Sequence, residues 1–179
     1  MKKALSIILS LVLVLAALPL VPIESHAYTI LTSPDGLWKY YVNDDGTTVT
    51  IGTDSISKAY LGTDEDVTVP STIDGKTVTG LGQGAFAGCN KIKSITVPNS
   101  VTSTGYRTFR SCTVLESVTL SNNLTNIGED AFGYCYALES ITIPASVTSI
   151  GDSAFYSCTG LSSVTILPGV TSFGRYSFY

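Results

Sequence analysis

Histidine is almost absent from this sequence, and that scarcity excludes a large class of chemistry. The single histidine among the 179 residues is His26, at the end of an N-terminal apolar segment. Once that segment is removed on export, no imidazole remains to act as a general base, complete a catalytic triad or bind a metal. We therefore predict that the chain is not an enzyme.

Basic residues are also scarce. Removing Lys2, Lys3 and Glu24 from the totals of 10 basic and 14 acidic residues leaves 8 basic against 13 acidic residues. Proteins that bind nucleic acid carry a concentrated basic surface, so we predict no nucleic-acid partner. The acidic stretches "NDDG" and "TDED" lack the pattern of a calcium loop and are typical of turns, so we predict no metal and no cofactor.

Long apolar runs are limited to one, "ALSIILSLVLVLAALPLV". Lys2 and Lys3 precede it, and Ser25 and Ala27 follow it with the spacing of a signal-peptidase site. The sequence predicts a cleavable signal at residues 1–27. An uncleaved membrane anchor is the alternative, because the run approaches the length of a bilayer span. We expect a secreted or cell-surface protein with no membrane span in the mature chain.

What the sequence does contain is a repeat with a step of 23 residues. An internal period of this size is typical of solenoids, in which each unit buries its apolar face against the next. After each repeated cysteine, a run such as "LESITI" alternates apolar and polar residues, which predicts a β-strand in every coil. The repeated residues are Phe86, Phe109, Phe132, Phe155 and Phe178, then Cys89, Cys112, Cys135 and Cys158, and Gly82, Gly105, Gly128, Gly151 and Gly174.

The unit L-x-x-V-x-I-P-x-x-V-x-x-I-G-x-x-A-F-x-x-C, seen in "LESITIPASVTSIGDSAFYSC", resembles the BspA-type leucine-rich repeats of bacterial cell-surface proteins. The resemblance covers residues 67–179. It implies a mainly-β solenoid, a right-handed superhelix of 23-residue coils with a parallel sheet on its concave face. It also implies adhesion to components of a host or neighbouring-cell surface. The chain departs from the unit at Thr104, Thr108, Ser121 and Leu167.

The two ends of the predicted solenoid differ in their sequences. Residues 28–66 include "LWKYYVNDDGTTVTI", whose two β-prone runs around Asp45-Gly46 predict a hairpin that caps the first coil. At the other end the chain stops at Phe178-Tyr179, where a further strand should follow. We expect a fragment, an incomplete gene product, or an uncapped end that a partner covers by end-to-end contact.

The four repeated cysteines allow three interpretations, which are disulfides, a metal site and buried thiols. An even count in an exported protein favours disulfides. However, side chains at one position of successive coils point the same way, with Cβ atoms ~5 Å apart where a bridge needs ~3.8 Å. Four thiols in a row also cannot surround a tetrahedral metal. We predict that all four are free and buried, with disulfides as the alternative.

Polar side chains alternate with the buried residues of each predicted strand. Stacked in register, they would form hydroxyl ladders on the concave face, the usual recognition surface of solenoids. The alternative is that threonine merely suits an exposed strand. Glu116 and Glu139 would lie ~5 Å apart like a glycosidase pair, but on an open face without a pocket. The candidate binding face is Ser94, Thr96, Glu116, Ser117, Thr119, Glu139, Ser140, Thr142, Ser163 and Thr165.

Tyrosines close to the cysteines form a second candidate surface. Tyr134, Tyr136 and Tyr156 are candidate aromatic contacts, because tyrosine supplies binding area at low cost in conformational entropy. The alternative is that they shield the convex side. The sequence thus predicts a module that binds an extracellular protein or glycan. A structural spacer that displays another domain is the alternative function.

Overall fold

The computed structural model describes residues 28–53, 55 and 57–179. The predicted signal segment, residues 1–27, lies outside this range. No helix within the described range is long and apolar enough to cross a bilayer. The repeats form the predicted solenoid of parallel strands. The right hand of the superhelix and the concave position of the sheet stay predictions.

Short strands make up the regular structure of the described residues. Most have two to four residues, because each coil must turn several times within one repeat. In chain order they are β1 (Leu31–Thr32), β2 (Lys39–Val42), β3 (Thr48–Ile51), β4 (Asp66–Thr68), β5 (Thr72–Ile73), β6 (Lys76–Leu81), β7 (Ser94–Thr96), β8 (Ser103–Thr104), β9 (Ser117–Thr119), β10 (Asn126–Ile127), β11 (Ser140–Ile143), β12 (Ser149–Ile150), β13 (Ser163–Ile166) and β14 (Ser172–Phe173).

The predicted N-terminal hairpin is confirmed. Strands β2 and β3 pair antiparallel, with Tyr40 opposite Ile51. In the turn between them Gly46 has a φ of 67°, and the Asp45 carboxylate accepts the amide hydrogen of Thr48 at 2.7 Å. Strand β3 then pairs parallel with β6. The hairpin therefore continues the sheet of the repeats and covers its first edge, as an N-terminal cap must.

Two sets of parallel strands run along the repeats. One set, β6, β8, β10, β12 and β14, continues the sheet that begins with the hairpin. The other set contains the Ser-x-Thr strands and is divided into β4-β7-β9 and β11-β13. Paired residues lie one repeat apart, as in Ser94 with Ser117 and Ser140 with Ser163. Buried residues of both sets belong to one hydrophobic core.

The first coil is five residues longer than the coils that follow it. Asp66 pairs with Ser94, 28 positions later, where other pairs are 23 positions apart. The insertion forms a tight antiparallel turn between β5 and β6, with Thr72 opposite Thr77. Because the extra residues are used within this turn, the strands that follow keep their register.

A stack of phenylalanine rings forms the centre of the core. Neighbouring rings are nearly parallel, with centroids 4.9 to 5.2 Å apart. At the N-terminal end Trp38 and Tyr60 pack on the first ring, with centroids 6.0 and 5.9 Å from it. The cap residues therefore extend the aromatic core as well as the sheet. The stack consists of Phe86, Phe109, Phe132, Phe155 and Phe178.

Polar residues that replace apolar ones in the repeat are buried and hydrogen-bonded. The Thr108 hydroxyl donates to the Gly105 carbonyl at 2.9 Å, and the Ser121 hydroxyl donates to the Val101 carbonyl at 2.6 Å. Thr104, in the position of a core isoleucine, is 3% exposed and also hydrogen-bonded. Because each hydroxyl has a partner, these departures do not leave an unpaired polar group in the core.

The repeated glycine has a steric cause. A Cβ built on Gly151 would lie 2.6 Å from the amide nitrogen of Glu129 and 2.8 Å from the carbonyl carbon of Gly128, both in the preceding coil. Contacts this short do not occur with real Cβ atoms, so any larger residue would separate the two coils. Glycine is therefore required here because the backbones approach closely.

The C-terminal face of the last coil is apolar and exposed. Positions that are buried one repeat earlier are 37 to 55% exposed here. For example, Phe155 is 1% exposed whereas Phe178 is 41% exposed. The other residues of this face are Val164, Ile166 and Phe173.

Candidate binding surfaces

The structure brings the predicted hydroxyl residues together in register. Thr96 pairs with Thr119, and Thr142 pairs with Thr165, each pair on neighbouring parallel strands. All but the partly buried Ser94 are exposed. We call this surface the Ser/Thr face, and define it as Ser94, Thr96, Ser117, Thr119, Ser140, Thr142, Ser163 and Thr165.

A second threonine ladder shows what distinguishes the Ser/Thr face. On the other strand set, the threonine that precedes each of β8, β10, β12 and β14 donates its hydroxyl to a backbone carbonyl one coil earlier, at 2.9 to 3.2 Å. These residues are Thr102, Thr125, Thr148 and Thr171. In contrast, the threonine hydroxyls of the Ser/Thr face have no intramolecular partner in the part of the chain that the structure describes. They are exposed donors and acceptors, free to bond to solvent or to a ligand.

A groove crosses the Ser/Thr face where its strands are not paired. Between β9 and β11 the described residues share one backbone hydrogen bond, from the Glu139 amide to the Glu116 carbonyl at 3.3 Å. One coil later the Leu167 amide donates to the Ile143 carbonyl at 3.0 Å. The equivalent bond cannot form from Pro144, which has no amide hydrogen.

This groove has a volume of about 320 Å³, and its lining combines hydroxyl groups with apolar residues. Such a mixture can both orient a ligand by hydrogen bonds and bury its apolar parts. The predicted residues Ser117, Thr119, Ser140 and Thr142 line it, together with Val118, Leu120, Asn122, Ile141, Pro144 and Leu167.

The acidic candidates lie beside this surface and are fully accessible. Glu116 and Glu139 are both exposed. On the first coils, acids already have partners, since Lys93 forms a 2.6 Å ion pair with Glu65 and Ser94 donates to Asp66 at 2.5 Å. Ser94 is therefore less available to a ligand than the equivalent serines of later coils.

All four cysteines are buried inside the solenoid. Three of their thiols donate to phenylalanine carbonyls of the preceding coil, at 3.0 to 3.2 Å. Burial raises the pKa of Cys89 and Cys158 to about 11 and that of Cys112 to about 12, and it holds the pKa of Cys135 well above its usual value. The protonated thiol is a poor nucleophile, so this ladder is chemically inert at neutral pH. Free thiols in the exported protein stay a prediction.

The predicted tyrosines form a connected cluster on a different surface. The Tyr134 ring lies 5.5 Å from that of Tyr156 and 6.1 Å from that of Tyr136, both edge to face. Tyr136 is 46% exposed, and the other two are partly buried. The cluster borders a pocket of about 280 Å³.

The charged residues of this pocket were not among the site residues predicted from the sequence. Arg107 donates from Nε to the Asp130 carboxylate at 3.0 Å, and Arg110 pairs with the same carboxylate oxygen. Arg110 also stacks over Tyr134, 4.6 Å from the ring centroid. A signal was present, because residues 107 and 130 are one repeat apart and must therefore lie on neighbouring coils. Within the described residues, no group of three potential metal ligands converges.

Comparison with known proteins agrees with this architecture. The profile of the BspA type leucine-rich repeat region matches residues 65–179 in six copies. No curated protein is significantly similar to the chain. The boundary between cap and repeats at residues 66 and 67 stays a prediction.

Solved structures of bacterial leucine-rich repeat proteins are similar to the chain. One from Bacteroides capillosus is 30% identical, with a TM-score of 0.64, and the match covers 77% of this chain and 98% of that one. A leucine-rich cell surface protein of Faecalibacterium prausnitzii is 27% identical with a TM-score of 0.61, and the match covers 84% of this chain and 46% of that protein. From the repeats, the fold and these matches, the chain belongs to the BspA-type leucine-rich repeat family.

Proposed function

We propose that this protein is a secreted or cell-surface recognition module that binds an extracellular protein or glycan through its Ser/Thr face. The observation that carries the proposal is the difference between the two threonine ladders. One ladder uses its hydroxyls to bond neighbouring coils, whereas Thr96, Thr119, Thr142 and Thr165 are exposed and have no hydroxyl partner among the residues that the structure describes.

The groove between β9 and β11 adds shape to this surface. Its lining combines hydroxyls from both strands with the buried residues Leu120 and Pro144. The one long apolar run in the sequence is the predicted export signal, and this fits an extracellular location. The similar protein of Faecalibacterium prausnitzii is a cell surface protein, which supports the same location for this one.

The test uses exported protein, recovered after signal removal, and a panel of extracellular matrix glycoproteins and glycans. We expect the double variant Thr119→Lys, Thr142→Lys to lose ligand binding by about tenfold or more, because two long charged side chains would fill the groove. The matched control is Thr125→Lys, Thr148→Lys, which changes the same coils on the other strand set. Circular dichroism of both variants should equal that of the wild type.

Three outcomes can be distinguished. Loss of binding in the first variant alone supports the Ser/Thr face. Binding that persists in that variant, with the fold intact, overturns this choice of surface. If the wild type binds no member of the panel, the proposal fails and the spacer function is favoured instead.

A further inference from the structure

The tyrosine pocket lies beside a position where one coil has glycine in place of a large residue. Arg110, Gly133 and Tyr156 occupy the same repeat position on three successive coils, which lie ~4.8 Å apart. Backbone hydrogen bonds between adjoining residues, such as Ser111 to Gly133 and Tyr134 to Tyr156, both at 2.8 Å, hold these coils in register. Because Gly133 has no side chain, the Asp130 carboxylate takes the place that a Cβ would occupy there, and the pocket lies beside it, lined by Arg110 and Tyr156.

Several residues around this pocket have an unusual backbone. Arg107, Asp130 and Tyr134 have φ values of 57°, 54° and 63°. The first coil has Gly84 and Gly88 at these two repeat positions, with φ values of 61° and 68°. Left-handed backbone is unfavourable for bulky residues, but it recurs at these two positions in successive coils, so it belongs to the turn of the repeat. Elsewhere in the repeats the two positions carry Ser111, Ser153, Ser157 and Tyr176.

The charged residues of the pocket differ in how deeply they are buried. Asp130 is 5% exposed, and both Arg107 and Arg110 pair with its Oδ2 atom. Two guanidinium groups thus share one buried carboxylate, and the other acid among the lining residues is Glu129. The acid on the pocket rim, Glu129, is exposed, so water and salt screen its charge.

Both arginines are also held in place. Arg107 stacks over Tyr106 at 4.5 Å and Arg110 over Tyr134 at 4.6 Å, each measured to the ring centroid. Their side chains are 30 and 28% exposed, and each guanidinium keeps N–H groups without a partner in the described part of the chain. A fixed, partly exposed guanidinium is suited to bind a planar or tetrahedral anion with paired hydrogen bonds.

We propose that this pocket binds an acidic sugar, that is, a sugar ring that carries a carboxylate or a sulfate group. The anion would bond to the free N–H groups of Arg107 and Arg110, and the C–H face of the ring would pack against Tyr156. A peptide fits less well, because peptides are usually held through backbone hydrogen bonds. Here the nearby amides of Ser111 and Tyr134 are already bonded between coils.

This site is separate from the Ser/Thr face, so either proposal can fail alone. The probes are a sialylated oligosaccharide and a sulfated glycosaminoglycan, each with its desialylated or desulfated counterpart. In calorimetric titrations of the exported full-length product, we expect binding to at least one acidic probe. The neutral counterpart should bind about tenfold more weakly or not at all, and added salt should weaken the acidic complex.

Variants locate the binding site. Arg110→Gln and Tyr156→Ala should each weaken binding about tenfold or more. Arg110→Lys should weaken it less, because lysine keeps the positive charge but lacks the paired N–H groups of the guanidinium. Lys91→Gln removes an exposed charge elsewhere and is the control for non-specific attraction. A double variant Thr119→Ala, Thr142→Ala should bind the acidic probe normally.

The outcomes are decisive even where a variant is unstable. If Arg110→Gln unfolds, the folded variants Arg110→Lys and Tyr156→Ala decide. The proposal is overturned if neither acidic probe binds, if neutral counterparts bind equally well, or if Lys91→Gln weakens binding as much as the pocket variants do.

Discussion

The replacement of Phe132 by alanine tests whether the aromatic stack is the core of the solenoid. The Phe132 side chain is completely buried, and its ring lies 4.9 Å from Phe109 and 5.1 Å from Phe155. Truncation would leave a cavity in the middle of the stack and remove both ring contacts. Because coils in a solenoid stabilise only their neighbours, this cavity separates the two halves of the repeat region.

The expected loss of unfolding free energy follows from these contacts. Phenylalanine to alanine changes in a core cost about 3–5 kcal/mol, and each stacked pair contributes about 0.5–1.5 kcal/mol beyond its buried area. With two such pairs lost, we expect a value near the upper end, about 4–5 kcal/mol. Domains of this size have a total stability of about 5–15 kcal/mol, so this loss is a large fraction of the free energy of unfolding.

The chain offers a matched control in Phe178. This residue has the same repeat position, but it is 41% exposed and has one stacked neighbour, Phe155, at 4.9 Å. Its replacement by alanine should cost about 1–2 kcal/mol. Urea titrations followed by circular dichroism measure both losses. Equal losses in the two variants would refute a continuous stack as the main source of stability.

Three further predictions concern other parts of the chain. Gly151→Ala should lower the unfolding free energy by about 2–3 kcal/mol in urea titrations, because a Cβ there overlaps the preceding coil; an unchanged midpoint would contradict the close approach. Native protein should react slowly with a thiol reagent and should show four thiols once it is unfolded without reductant, and fewer than four would indicate disulfides. Because burial raises the folded pKa of three thiols from 9.0 to about 11 or 12, their contribution to stability is complete below pH 9 and is lost as the pH rises to 11 or 12. Mass spectrometry of the exported protein should find Tyr28 as its first residue, and an intact N-terminus would support the membrane-anchor alternative.

The fold could be predicted because a repeat converts sequence separation into spatial position. Once the step of 23 residues was recognised, Ser140 had to lie beside Ser163, and the structure pairs them. The hairpin around Asp45-Gly46 could be predicted for a local reason, since its turn residues are suited to a tight reversal between β-prone runs. In both cases the prediction depended on a few residues whose spacing permits one arrangement.

Details of the binding surfaces depend on geometry that the repeat does not reveal. Thr125 and Thr119 both recur at the same step, yet the first donates to a carbonyl at 2.9 Å and the second has no partner among the described residues. The difference arises from the direction of each side chain relative to the neighbouring backbone. The groove at Pro144 likewise lies where β9 and β11 are not paired, although the apolar pattern of these strands is regular.

The same geometry suggests where binding specificity can arise in this solenoid. Positions that are occupied by the same residue in every coil, such as the ring of Phe132, form columns whose volume and spacing hold the coils together. A change there disturbs both neighbours. The column that contains Arg110, Gly133 and Tyr156 is different, because its residues differ in size and charge, and Arg110 and Tyr156 border a pocket. Such a column can contain residues of different size and charge without a change in the packing of the core. The buried invariant columns therefore keep the scaffold rigid, and recognition chemistry is expected at exposed columns, whether they are invariant, as on the Ser/Thr face, or variable, as here.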